Sequence, residues 1–299
     1  MDSITLPSPA KVNLFLRILG KRPDGFHELE TVMAALDLAD EMRFERRPCG
    51  ITIECSAPGV PCDDSNLAVR AARLLQERFG IQAGTHIVLR KRTPVGGGMG
   101  GGSSNAATTL RALGRLWELS ASQSEFETLA SRLGSDVPFF LRPSVATCRG
   151  RGEIIEPISA EKCRALQEAA VVLVNPGFGV PTPWAYRSYA ARGGVSAEPK
   201  RDAGPLLRAL ASADLIALAG ELYNSLEPAV FRKYPILEMF RRSLVEAGAS
   251  GALMSGSGAT VFGLCLNVRA AEDVRSKIMA KFGPSLWTHV ARFAAFSGS

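Results

Sequence analysis

The segment Pro94-Val95-Gly96-Gly97-Gly98-Met99-Gly100-Gly101-Gly102-Ser103-Ser104-Asn105-Ala106 places six glycines in seven consecutive positions. Glycine alone enters positive φ without a Cβ penalty, and a run of it costs folding entropy in any regular element. Such a run marks a place where the backbone must turn sharply or approach something closely. Its neighbours narrow the choice. Ser103, Ser104 and Asn105 are favoured helix N-caps, and Ala106, Leu110, Leu113, Leu116 and Trp117 recur at helical spacing, which predicts a helix over 106–119. Upstream, Ile87, Val88 and Leu89 predict a strand over 85–92. A glycine loop feeding a helix N-terminus is an anion site, because unpaired amides and the positive end of the helix dipole face the loop. A nucleotide polyphosphate suits it, with the hydroxyls of Ser103 and Ser104 as possible metal ligands.

Two better-known glycine motifs do not fit. A P-loop needs a Lys between its last glycine and the Ser/Thr, yet Gly102 runs directly into Ser103. A dinucleotide fingerprint needs an acidic residue at the end of a second strand, and neither Glu118 nor Glu125 ends one. A flexible linker is the bland alternative, but linkers rarely run into a clean amphipathic helix.

The 299 residues suffice for two ordinary cores, and 46% apolar content marks a globular chain. No apolar run approaches the length of a membrane span, and Met1-Asp2-Ser3 opens no export signal, so a cytoplasmic protein is expected. The six cysteines form no C-x-x-C pair, which predicts reduced thiols and no structural zinc. A net charge of +6 favours acidic partners, either nucleic acid or phosphorylated small molecules. The basic residues are spread along the chain and no run interleaves them with aromatics. Arg90-Lys91-Arg92, just before the glycine loop, either adds positive potential near bound phosphate or is a solvated strand end.

In chain order, residues 10–19 alternate, with Lys11 and Asn13 on one face and Val12, Leu14, Leu16 and Ile18 on the other. Pro23-Asp24-Gly25 is a turn that presents Phe26 and His27, an aromatic and an imidazole able to grip a base. Strands are expected over 29–38, 41–45 and 50–55, then a helix over 67–79 capped by the run Asp63-Asp64-Ser65-Asn66. A helix over 125–133, capped by Ser124, leads into Ser135-Asp136-Val137-Pro138. Asp136 there is either a turn carboxylate or a buried one that needs a partner, for which Lys11 is a candidate. Further on, a strand over 169–175, helices over 184–189, 205–219, 221–231 and 236–247, a small-residue stretch over 248–260, a strand over 261–266, a helix over 270–282 and a strand over 288–296 are expected. Strands interleaved with helices in this manner predict an α+β fold.

Three stretches together carry a resemblance. Pro9-Ala10-Lys11-Val12-Asn13-Leu14, the glycine segment from Pro94 to Ala106, and Met254-Ser255-Gly256-Ser257-Gly258-Ala259-Thr260 resemble the three motifs of the GHMP kinases in order and separation. The turn through His27, Asp64-Ser65-Asn66-Leu67, the run Gly134 to Phe140 and Asn175-Pro176-Gly177 are similar to those of members whose acceptor carries a cytidine diphosphate group. The resemblance implies a two-domain kinase: an ATP-binding, ribosomal-S5-like domain over 1–155 and a ferredoxin-like, substrate-side domain over 156–299, whose final strand can pack back on the first. It implies ATP and Mg²⁺ as cofactors, a small-molecule acceptor as partner, and neither nucleic acid nor membrane. Lys11 and Asp136 would be the catalytic pair. ATP would sit on Pro94, Val95, Gly96, Gly97, Gly98, Met99, Gly100, Gly101, Gly102, Ser103 and Ser104, with Asn66 near the nucleotide. Asn13, Phe26, His27, Tyr186, Ser255, Gly256, Ser257 and Gly258 would contact the acceptor. Two positions depart from the pattern: Asn224-Ser225-Leu226-Glu227 stands where Asn-Asp-Leu-Glu is common, and Phe26 where Tyr is frequent. Another GHMP kinase with a simpler alcohol acceptor, or a basic RNA-binding protein with an S5-like half, are the rival readings.

Overall fold

Two long strands open the chain, β1 (Ser3–Lys21) and β2 (His27–Arg47), in a computed structural model that describes residues 1–142, 144–197 and 199–294. The two expected strands over 29–38 and 41–45 are one element, because Asp40 continues the extended backbone rather than breaking it. The described chain forms two compact units. One comprises Met1–Ala10, Leu38–Val95 and Gly100–Pro143; the other comprises Lys11–Asp37, Gly96–Met99 and Ser144–Ser299. The chain passes between them within β1, within β2, twice in the glycine loop and once more ahead of residue 144.

In the first unit the sheet runs β3-β4-β2-β1, with β3 (Ile51–Cys55) parallel to β4 (Gly84–Arg90) and β4 antiparallel to β2. Between them, α1 spans Leu67–Phe79, the predicted bounds, because Asn66 caps Ala68 N at 2.9 Å and Gly80 ends the helix in the left-handed region. Helix α2 spans Gly101–Leu116 and packs on α1. It starts five residues earlier than its side chains predict, so Ser103, Ser104 and Asn105 lie in its first turn and cap nothing. Helix α3 (Gln123–Leu133) starts from Ser122, not Ser124, in a capping box with Glu125. It approaches α2 closely at Gly114, where a Cβ would lie 2.6 Å from Phe126 Cζ. Phe44, Met42, Leu75, Ile87, Leu110 and Leu113 are buried in this unit's core.

In the second unit β5 (Val145–Gly150) pairs with β2 and with β6 (Ile154–Pro157), and β1 pairs with the two-residue strand β8 (Tyr223–Asn224). A four-stranded antiparallel sheet has the order β11-β7-β10-β9, built from β7 (Ala170–Asn175), β9 (Gly251–Met254), β10 (Val261–Cys265) and β11 (Trp287–Arg292). With helices α4 (Thr182–Ala190), α5 (Gly204–Ala211), α6 (Leu215–Gly220), α7 (Glu227–Lys233) and α8 (Pro235–Ala247) between β7 and β9, and α9 (Val268–Phe282) between β10 and β11, this is the ferredoxin-like connectivity. Strand β9 falls inside the small-residue stretch over 248–260. The single helices expected over 205–219 and 221–231 are shorter pieces, the first split where Asp214 caps Ile216 and Ala217.

Leu16, Ile18 and Leu29 share a core with Val172, Val174, Leu226 and Val230, and the β2–β5 pairing ties 29–34 to the same unit. Past β11, Phe293 bridges Leu36 and Ala294 N donates to Ala35 O at 2.8 Å, so the chain end returns to β2. The end of the strand expected over 288–296 lies outside the described residues. No helix among the described residues is long and apolar enough to cross a membrane.

Candidate active site

In the second unit the middle of the glycine loop is tied down through its carbonyls. Thr260 N donates to Gly97 O at 3.1 Å and Lys11 N to Met99 O at 3.1 Å. Gly98 O accepts both Lys11 Nζ at 3.0 Å and Ser255 Oγ at 2.9 Å. Gly98 has φ +76° and sits against the third motif so tightly that a Cβ would lie 2.1 Å from Ser255 O. Lys11 and Asn13, expected on one face of β1, meet at 2.6 Å between Nζ and Oδ1. Asn13 Nδ2 in turn donates to Thr31 Oγ1 at 2.9 Å, and Thr31 to Phe15 O at 2.6 Å. The Lys11 side chain is buried, so its charge rests on oxygens fixed by this chain of hydrogen bonds. Gly256 completes the cluster: a Cβ there would be 3.3 Å from Lys11 Nζ and 3.4 Å from Asn13 Oδ1.

The loop 255–258 is braced from beneath by residues that spacing did not reveal. Asn224 Nδ2 donates to Met254 O at 2.7 Å and Gly256 O at 2.8 Å, and Glu227 Oε1 accepts Met254 N at 2.8 Å. Burial pushes the Glu227 carboxyl up to about 7, against the opposing effect of that hydrogen bond. Ser225 Oγ accepts Ile18 N at 3.1 Å, so the serine in the departing Asn-Ser-Leu-Glu run still receives a strand amide. Ser257 Oγ meets Thr182 Oγ1 at 2.9 Å.

On the same unit the turn after β1 is rigid: Arg22 N donates to Phe26 O at 2.8 Å, and Asp24 Oδ1 accepts Phe26 N at 3.1 Å. It presents Phe26, half exposed, with the Arg151 guanidinium 4.7 Å above its ring. His27 and Tyr186 bring their rings to 5.0 Å, so the two groups expected to hold a base are neighbours. Burial, with the nearby charge of Lys21, holds the His27 imidazole below its ordinary pKa, leaving it neutral at pH 7 and able to donate and accept hydrogen bonds.

In the first unit, α2 opens from Gly100 at φ +69° with no side-chain cap, leaving the amides of its first turn without helical partners. Leu67 Cδ1 lies 3.6 Å from the position of a Cβ on Gly102. Asn66, just before it, is buried with its side-chain amide engaged at both ends, capping α1 and donating to Pro61 O at 2.7 Å. Ser103 is half-buried, whereas Ser104 is fully buried and accepts from Ser8 Oγ at 2.8 Å. Asp136 is half-buried between α3 and a 3-10 turn, Pro138–Leu141.

Arg90-Lys91-Arg92 does not act as one basic cluster. Arg90 and Arg92 pair with Glu41 at the surface, but Lys91 is buried with Nζ 2.5 Å from Asp40 Oδ2. Asp40 Oδ1 accepts Arg92 N at 2.8 Å, Thr93 N at 2.9 Å and Thr93 Oγ1 at 2.9 Å, while Oδ2 also accepts Asn105 Nδ2 at 3.0 Å. Burial would raise the Asp40 pKa; the Lys91 charge and these hydrogen bonds outweigh it and hold the carboxyl below its usual range.

Among the described residues no group of three or more His, Cys, Asp and Glu could hold a metal ion. Of the two hydroxyls expected to meet a cation, Ser103 is half-buried, whereas Ser104 is buried and bonded to Ser8.

Comparison with known proteins agrees with the geometry. Residues 66–143 match the GHMP kinases N terminal domain and residues 206–285 the GHMP kinases C terminal domain. A 4-diphosphocytidyl-2-C-methyl-D-erythritol kinase of Synechococcus sp. (strain JA-3-3Ab) is 40% identical, the alignment covering 98% of this chain and 95% of the relative. One of the same name from Pelotomaculum thermopropionicum is 43% identical over 92% of this chain and 93% of the relative. A crystal structure of 4-(cytidine 5'-diphospho)-2C-methyl-D-erythritol kinase superposes with a TM-score of 0.78 at 36% identity, covering 97% of this chain and 99% of that one. With both domains matched and relatives of this similarity along nearly its whole length, the chain belongs to the GHMP kinase family.

Proposed function

We propose that this protein transfers the γ-phosphoryl group of ATP to a hydroxyl of 4-diphosphocytidyl-2-C-methyl-D-erythritol, the compound its relatives are named for, in the cytoplasm and on the methylerythritol phosphate route to isoprenoids. The observation that carries the reading is the glycine loop: the carbonyls of Gly97, Gly98 and Met99 are drawn to Thr260, Lys11 and Ser255, while α2 begins uncapped. Amides at such a helix start are donors for polyphosphate. The nucleotide belongs mainly to the first unit, along Pro94, Val95 and the segment Gly100 to Ser104 with Asn66 nearby, and the acceptor to the second.

Phosphoryl transfer asks for positioning and charge neutralisation more than for covalent chemistry. The acceptor oxygen bonds to the γ-phosphorus, the bond to the bridging oxygen breaks, ADP leaves and the hydroxyl proton passes to Asp136. Lys11, held by Asn13 and Gly98 O, supplies a fixed positive charge to this centre. Asn13 and His27 hydrogen-bond the acceptor, Phe26 and Tyr186 flank the cytosine, and the loop of Ser255, Gly256, Ser257 and Gly258 lines the site. Mg²⁺, when bound with ATP, neutralises phosphate charge, Ser103 being its protein ligand in this reading.

The test is ADP release with a panel of acceptors. Release that requires the cytidine diphosphate ester is the expected result. Release with a simple alcohol such as homoserine or mevalonate would mean a different GHMP activity, and no release with any acceptor would overturn the kinase reading.

A further inference from the structure

The ammonium of Lys91 and the carboxylate of Asp40 lie directly under the start of α2: a Cβ on Gly101 would be 2.9 Å from Thr93 Oγ1 and 3.0 Å from Lys91 Nζ. Asp40 is nearly fully buried, and its two oxygens divide their work. Oδ1 binds the strand side of the glycine loop, through Arg92 N, Thr93 N and Thr93 Oγ1. Oδ2 binds the helix side, through Asn105 Nδ2, in the first turn of α2. Lys91 Nζ repeats the bridge, reaching Thr93 Oγ1 at 2.9 Å and Asn105 Oδ1 at 3.4 Å. Asn105 Nδ2 also donates to Ser8 Oγ at 2.8 Å, and Ser8 to Ser104, which fixes the same turn from β1.

The chain between Thr93 and Asn105 is rich in glycine, which by itself leaves the backbone many conformations, and the bonds to Thr260, Lys11 and Ser255 hold only its middle. Pinning its two ends to one buried carboxylate cuts that freedom before any ligand arrives. We propose that Asp40 is a positioning residue for the nucleotide: with Lys91 and Asn105 it clamps the two ends of the glycine loop, so that the first-turn amides of α2 stand ready for phosphate. This rests on the reading of the loop as the ATP site.

Alternative features carry less. The groove of Arg192, Glu227, Arg232 and Arg241 mixes both signs of charge and names no ligand.

A purely structural ion pair would also destabilise the protein when broken, so the test separates the two roles. In Asp40→Asn/Lys91→Met the buried charges go together, and the side-chain amide that replaces the Asp40 carboxylate keeps an oxygen for the Thr93 side while turning its NH₂ toward the Asn105 amide. Removing both charges at once avoids leaving one unpaired. At a temperature where the variant is folded, the clamp predicts an ATP-analogue Kd about 10- to 100-fold weaker, the loss of one or two charge-assisted hydrogen bonds to phosphate, with acceptor affinity unchanged. Asn105→Ala, which keeps a good helix former and cuts the helix-side arm together with the bond to Ser8, should do the same if the double variant does not fold. Wild-type ATP affinity in the folded variant would overturn the proposal. A second readout does not depend on ATP: hydrogen exchange of residues 94–104 in the ligand-free protein should quicken in Asn105→Ala while α1 is unaffected. Unchanged exchange there overturns the clamp even if ATP binds elsewhere. Quickened exchange in Asn105→Ala, together with a wild-type protein that fails to bind ATP, leaves the clamp standing and sinks the assignment of the loop to the nucleotide.

Discussion

Gly98→Ala is a one-methyl perturbation with two separable effects. The first is backbone: Gly98 has φ +76°, where an L-residue pays about 1–2 kcal/mol. The second is collision. The added methyl would sit 2.1 Å from Ser255 O and 3.0 Å from both N and O of Gly258, and Ser255 O is itself held by Gly258 N at 3.0 Å. No side chain can swing away, so the loop or the third motif must move by about 1 Å. Overpacking of this kind costs about 1–3 kcal/mol, which brings the total to about 2–5 kcal/mol. Movement also drags Gly98 O from Lys11 Nζ and Ser255 Oγ. A displacement of about 1 Å at a reacting centre lowers the rate about 10²-fold, and that is the loss of kcat/KM expected. Gly80→Ala is the control, since Gly80 has φ +64° with nothing within 4 Å of the new methyl. Coupled ADP release and thermal melting of both variants are the assays. If Gly98→Ala melts like Gly80→Ala and keeps wild-type kcat/KM, the close approach of the second and third motifs is irrelevant to the site.

The other predictions concern protons. Asp136→Asn keeps size but cannot take the proton, so kcat should fall about 10²- to 10⁴-fold with ATP affinity little changed; near-normal single-turnover chemistry would make Asp136 a turn carboxylate. Glu227 has a folded pKa of about 7, raised by burial above its unfolded value, so its contribution to stability is present at low pH and lost as pH rises toward and through 7. Glu227→Gln keeps the acceptor for Met254 N and should therefore raise the melting midpoint at pH 8 and leave it nearly unchanged at pH 5; equal effects at both pH values would refute the burial argument. His27 has its pKa lowered, so folding favours the neutral ring and acidification below its unfolded value costs stability. The KM for the acceptor should be flat from pH 8 to about 6.5 and rise only below it, and a transition centred above pH 7 would contradict the neutral imidazole.

Local chemistry explains what was legible in the chain. Asn66 and Gly80 bound α1 through caps that need only their own neighbours, and period-two alternation put Lys11 beside Asn13. The family motifs set the fold class and the three stretches around the site. What stayed hidden depends on pairing across long separations. Lys91 reads as surface charge until Asp40, 51 positions away, is seen to bury it. Gly101 and Gly102 are poor helix formers that become helical because hydrogen bonds of Ser104 and Asn105 to Ser8 and Asp40 hold the start of α2 in place. Strand β9 lies in a small-residue run with little propensity of its own and exists through its ladder to β10. Each compact unit gathers segments far apart in the chain for the same reason, since strand pairing ignores chain order.

The most direct test follows the phosphoryl group itself in a single turnover with γ-labelled ATP and the cytidine diphosphate acceptor. The account predicts that the label appears on the acceptor at the rate at which ADP forms, and that Asp136→Asn slows both together. Label recovered only as inorganic phosphate, or retained on ATP while the acceptor is bound, would contradict it.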